Sequence, residues 1–185
     1  MSERHDPVMA PGGASVRIRR ATPADAAALA ELGARTFHDT FAADNRPEDM
    51  AAHLASAFGV PQQTAELAST DYVTLIGEID GVMAAFAQVR RKTAPDCVSG
   101  PAPVELHRFY VDRPWHGAGV AAVLMAESLE AVRALGGRTV WLSVWERNPR
   151  AIAFYTKQGF RRAGTTEFWV GPDCQTDHVL ERPVD

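Results

Sequence analysis

The stretch that decides the fold is Leu142-Ser143-Val144-Trp145-Glu146-Arg147-Asn148-Pro149-Arg150-Ala151-Ile152-Ala153-Phe154-Tyr155-Thr156-Lys157-Gln158-Gly159-Phe160. The apolar run from Thr139 to Val144 reads as a strand, Asn148 before Pro149 as a helix start, and Gly159 as its stop. One step earlier, Val104 to Val111 reads as a strand and Gly117 to Leu135 as a helix stopped by Gly136-Gly137. Strand, helix, strand in that order predicts a parallel pair joined by a crossover.

Toward the N-terminus the pattern changes. Val16-Arg17-Ile18-Arg19 alternates at period 2 and predicts a short strand, and Thr22-Pro23-Ala24-Asp25 is a helix start with the geometry of a capping box. Leu29, Leu32, Phe37 and Phe41 continue that helix to about Phe41, and Met50, Leu54 and Phe58 form the stripe of a second helix from Pro47. Gln62 to Ala68 predicts one or two further helical turns. Tyr72 to Glu78 and Val82 to Val89 are strands around Asp80-Gly81, a strong hairpin signal. Phe160 to Val170 and His178 to Glu181 close the chain as strands. The order is not a repeated strand–helix alternation. It predicts an α/β domain with a mixed, mostly antiparallel sheet carrying one parallel pair and flanked by helices.

At 185 residues, 46% hydrophobic and 23% charged, the chain has the length and apolar content for one domain with a real core. Residues 1–14 are expected to be a mobile tail and 15–185 a single domain. The balance of 19 Lys+Arg against 23 Asp+Glu leaves no basic surface for phosphate rows, so nucleic acid is not expected as a partner. Cys97 and Cys174 lie far apart with no metal-ligand spacing, so no metal site is expected and a reducing cytoplasm fits. No long apolar segment suggests a membrane partner. A homodimer is left open.

Two motifs carry chemistry. In Val111-Asp112-Arg113-Pro114-Trp115-His116-Gly117-Ala118-Gly119-Val120-Ala121, a strand passes through a short loop into a helix that opens on small residues. Unpaired N–H groups and the positive end of the helix dipole suit that opening to a phosphate or pyrophosphate. The same letters, through Ala122, fit the dinucleotide fingerprint G-x-G-x-x-A, although the connection after Val111 is too long for its tight turn. The second motif is the stretch quoted above.

Its spacing, L-x-V-x-x-x-N-x-x-A-x-x-F-Y-x-x-x-G-F, resembles a conserved block of the GNAT superfamily of acyl-CoA-dependent N-acetyltransferases. His116-Gly117-Ala118-Gly119-Val120-Ala121 is similar to that superfamily's pyrophosphate loop, with His116 standing where Gln or Arg is usual. The segments around Thr36 to Met50, Glu105 to Asp112 and Val144 to Pro149 further resemble the PaiA-like polyamine acetyltransferase branch. The resemblance implies the GNAT fold with a splayed parallel strand pair, acetyl-CoA as co-substrate, and a small-molecule amine as acceptor. It implies that Phe109, Tyr110 and Val111 meet the pantetheine arm, that Gly117, Ala118, Gly119, Val120 and Ala121 meet the pyrophosphate, and that Asn148 and Ala151 lie on the cofactor. The side-chain contribution of His116 stays open. Tyr155 is expected to protonate the leaving thiolate.

Glu105 is expected to be the general base, on a period-2 face with His107, Phe109 and Val111; Glu146 and His107 are alternatives. Trp145 is a candidate wall of the acceptor pocket. Asp39, Asp44, Glu48 and Asp49 are expected to favour a cationic amine. Two other readings stand beside this one: a nicotinamide-dependent oxidoreductase and a non-catalytic acyl-CoA sensor.

Overall fold

The computed structural model describes residues 7–9 and 15–184. Eight strands form one sheet, β1 (Val8–Met9), β2 (Ser15–Arg20), β3 (Tyr72–Ile79), β4 (Val82–Arg90), β5 (Pro103–Val111), β6 (Thr139–Trp145), β7 (Arg161–Val170) and β8 (Asp173–Pro183), in the order β1-β2-β3-β4-β5-β6-β8-β7. Every neighbouring pair is antiparallel except β5 and β6. The helices are α1 (Ala26–Phe41), α2 (Pro47–Ala57), α3 (Val60–Ala68), α4 (Val120–Ala134) and α5 (Pro149–Lys157).

Helices cover both faces of the sheet. Leu29 and Leu32 of α1 pack on Ile76 and Phe86, while Leu124, Met125 and Val132 of α4 pack on Leu75, Ala85, Val89 and Leu106, the residues that alternate with the first set. Burial on both faces explains why β4 is apolar almost throughout instead of alternating with polar residues. Asp80 and Gly81 both take left-handed backbone (φ 51° and 78°), as a type I′ hairpin turn requires. Thr22 and Asp25 form the expected capping box, with the Thr22 N–H donating to Asp25 at 2.7 Å.

Several boundaries differ from expectation. Most of residues 1–14, expected to be mobile, lie outside the described residues, but Val8 and Met9 pair with Val16 and Ser15. The segment at Gln62 belongs to a full helix that starts at Val60. The last strand begins at Asp173, because β8 lies between β6 and β7 and gains its order from pairing on both sides rather than from its own apolar pattern. Among the described residues no helix is long and apolar enough to cross a membrane.

Two irregularities make the site. The parallel ladder between β5 and β6 runs only through Pro103–Thr139, Val104–Val140 and Glu105–Trp141, after which the strands part. On its other edge β5 carries a bulge: Val89 pairs with Leu106 and Gln88 with Arg108, so His107 is an extra residue.

Candidate active site

Where β5 and β6 separate, a cavity of about 1000 Å³ passes through the sheet. One end lies at the start of α4. Gly117 and Gly119 take φ of 82° and 85°, and nothing stands within 4 Å of where a Cβ on Gly117 would project. Gly119 in left-handed backbone is the N-cap, so α4 begins at Val120 rather than at Gly117 as expected. The N–H groups of Val120 and Ala121, lacking carbonyls one turn back, face the same opening. Arg113, Arg150 and Lys157 line this end and make it cationic, with His116 beside them. These features fit a pyrophosphate: small residues leave room, and N–H groups and cations meet the charge.

His116 answers the question its sequence position left open. Its Nε2–H donates to the Val111 carbonyl at 2.8 Å, and Arg150 Nη1 donates to its Nδ1 at 2.7 Å. A carbonyl only accepts and a guanidinium only donates, so this pattern places the ring's proton on Nε2. The imidazole thus ties the end of β5 to the cation of α5.

In the middle of the cavity the edge of β5 is unpaired. The Asp112 N–H donates to the Ala84 carbonyl of β4 at 2.8 Å, so by strand alternation the Val111 N–H points the other way, into the split. Phe109, Tyr110 and Val111 all line the cavity. Asn148 Oδ1 accepts from the Ala151 N–H at 3.1 Å, which commits that oxygen to capping α5 while the side chain still borders the cavity. Tyr155, about two helical turns further on, is 8% exposed and ringed by Phe109, Phe154 and Phe160. Its hydroxyl has no hydrogen-bond partner among the described residues, and burial pushes its pKa well above the ordinary phenol value.

The far end is walled by aromatic rings from α1, β5, β6 and β7. Phe37 and Phe41 are 4.4 Å apart, Phe41 and Trp145 5.5 Å, and Tyr110 and Phe168 complete the wall. Thr36, Asp39 and Thr40 of α1 and Gln175 and Asp177 of β8 supply the polar groups. Arg108 braces this end: it bonds Glu66 of α3, Gln88 of β4 and the Ala57 carbonyl at the end of α2, all in the interior.

The structure corrects the expectation for Glu105. The bulge at His107 breaks the period, so Glu105 shares a face with Arg90, while Phe109 and Val111 turn to the opposite face against α4 and α5. Glu105 is 6% exposed, bonded to Arg90 Nε at 2.5 Å, and absent from the cavity lining. Glu146 is exposed and also outside the cavity. His107 borders it, but burial and the nearby Arg108 guanidinium push its pKa down to about 2. Of the four helix acids, Asp39 alone lines the cavity; Asp44 faces Arg147 at 3.5 Å, and Glu48 and Asp49 face Arg46.

Sequence reasoning missed Asp177, Gln175, Phe168, Arg150 and Arg113. Asp177 sits in a polar run before the apolar stretch of its strand and carries no motif letter. The fingerprint for a dinucleotide also fails here, since among the described residues the sheet holds a single parallel pair and no switch point between doubly wound halves.

Residues 35–160 match the family described as Acetyltransferase (GNAT) family. An uncharacterised N-acetyltransferase of Lactobacillus delbrueckii subsp. lactis is 29% identical over 91% of this chain and 98% of its own. The aminoglycoside N(6′)-acetyltransferase type 1 of Stenotrophomonas maltophilia is 36% identical over 77% of this chain and 84% of its own. Among solved structures, the PaiA N-acetyltransferase of Thermoplasma acidophilum in complex with coenzyme A superposes with a TM-score of 0.72 at 17% identity, covering 91% of this chain and 99% of that one.

Proposed function

The chain belongs to the GNAT acetyltransferase family, and we propose that it transfers the acetyl group of acetyl-CoA to a primary amine of a small cationic molecule, a polyamine first among them. The single observation that carries this reading is the cavity through the sheet: a cationic, glycine-cradled opening at one end and an aromatic chamber with carboxylates at the other. Acetyl-CoA, when bound, supplies the thioester whose carbonyl carbon is attacked. The backbone of Gly117, Ala118, Gly119, Val120 and Ala121, with Arg113 and Arg150, would hold its pyrophosphate, and the unpaired edge of Phe109 to Val111 would pair with the pantetheine arm. Asn148 and Ala151 border the same path.

The Val111 N–H, directed into the split, is suited to donate to the carbonyl oxygen as negative charge gathers there. Tyr155 keeps its proton at neutral pH because burial disfavours the phenolate, which suits it to protonate a departing thiolate. An acceptor amine would enter from the α1 and β8 side, opposite the cationic opening.

A second acceptor class, aminoglycosides, is favoured by one observation, the 36% identity to an aminoglycoside N(6′)-acetyltransferase. The test is thiol release from acetyl-CoA in the presence of spermidine or an aminoglycoside, with mass spectrometry of the amine. Turnover of one class selects it. Binding of coenzyme A by calorimetry with no turnover of any amine would instead make the chain an acyl-CoA sensor.

A further inference from the structure

Asp177 stands apart from the other acids among the described residues. It is 6% exposed, it lines the aromatic end of the cavity, and its Oδ1 has no hydrogen-bond partner among the described residues. A buried carboxylate oxygen without a partner costs the fold free energy, which a bound cation would offset. We propose that Asp177 receives the acceptor's ammonium group and takes its proton, so that the amine meets the thioester as a nucleophile. The inference rests on the reading of this cavity as the acetyl-transfer site.

Position supports it. Asp177 pairs across the sheet with Trp145, so both lie on the face toward α1, while Tyr155 reaches the split from α5 on the other side. Donor and acceptor would therefore approach from opposite faces with the two residues on either side of the reacting atoms. Around Asp177, β6 and the turn after it present Ser143, which lowers the carboxyl's pKa, and Glu146, which repels the carboxylate and raises it. Tyr110 faces it from β5, Asp39 lines the same chamber from α1, and β7 places Thr166 opposite it. Burial first, and then Glu146, raise its pKa to about 6, which leaves it ionised at neutral pH yet able to hold a proton.

The step balances. Asp177 accepts a proton from R–NH3⁺, breaking one N–H bond and forming O–H. The freed pair forms the C–N bond, the C–S bond breaks, and sulfur takes the Tyr155 proton. The surplus proton on nitrogen restores Tyr155, and the proton on Asp177 leaves to solvent. The net release is one proton per ammonium acetylated.

The test compares the full-length chain with Asp177→Asn and Asp177→Glu, using acetyl-CoA with n-butylamine, spermidine and kanamycin. For the amine turned over best, Asp177→Asn should lower kcat/KM by about 100-fold or more and abolish the acid limb near pH 6. Affinity for coenzyme A should stay within about twofold, the melting temperature should not fall, and Asp177→Glu should recover part of the rate. Wild-type-like kcat/KM in Asp177→Asn overturns the proposal. So does a lower melting temperature with lost coenzyme A binding, which would make Asp177 a frame residue. So does a wild-type chain that binds coenzyme A but acetylates none of the three amines. A wild-type chain that does not bind coenzyme A removes the underlying reading and the proposal with it.

Discussion

Tyr155 carries its hydroxyl into the split from a helix of nine residues, and the rings of Phe109, Phe154 and Phe160 hold it there. Phenylalanine keeps those ring contacts and loses only the proton. Tyr155→Phe should therefore reduce kcat by about 100-fold with KM for acetyl-CoA little changed, as measured by steady-state thiol release. Glu105 gives the contrasting case. Its carboxylate is buried against Arg90, so Glu105→Ala leaves the guanidinium without its counter-charge, bonded among the described residues only to the Tyr72 hydroxyl, and should destabilise the fold by roughly 3 kcal/mol. Denaturant unfolding checks the stability. The acid limb of kcat/KM should be the same in the variant as in the wild type.

Among the elements, the opening of α4 depends on a backbone that side chains resist. Gly119 sits at φ 85° as N-cap, where a β-branched residue is strained, and it belongs to the proposed pyrophosphate cradle. Gly119→Val should weaken coenzyme A binding at least about tenfold by calorimetry, through lost backbone approach and an altered helix start. The Glu66–Arg108–Gln88 cluster acts at the same scale from the interior, tying α3 and the end of α2 to β4 and β5. Its polar letters fell on two strands and a helix that read as ordinary sequence. Only the approach of those elements brings them together.

Across the whole molecule, two carboxylates set opposing pH dependences. Asp25, bonded to Arg19, has its pKa lowered from 3.8 to about 2, so its stabilising contribution is complete above 3.8 and is lost as pH falls toward 2. Asp177 is raised from 3.8 to about 6, so between those values the folded chain holds a proton that the unfolded chain has released. Its contribution to stability falls as pH rises through that window and is flat above it. Asp177→Asn should remove that fall, read as melting temperature against pH. Charge also bears on the acceptor. Asp39 and Asp177 line the chamber while the other helix acids are paired with arginines, so spermidine turnover below saturation should decline with salt, as the Debye length shrinks from about 10 Å at 0.1 M to 3 Å at 1 M. A rate indifferent to salt would argue for an uncharged acceptor.

The sequence by itself determined the element order, the hairpin at Asp80-Gly81, the single parallel pair and the two motifs, because each rests on local rules: apolar period, caps, turn residues and glycines at a helix start. The same local signals named Gly117 to Ala121 and Asn148, and the family resemblance named Tyr155; these lie on the loop and the helix those signals define. What lines the aromatic end of the cavity was decided by the tertiary structure. One bulged residue, His107, moved Glu105 to the far face of β5, and period 2 has no means of anticipating an insertion. Asp177 enters the site because β8 inserts beside β6, and Phe41 and Phe168 join it only when α1 and β7 close over the same end of the split. Those contacts join residues distant in the chain, so no window of sequence contains both partners.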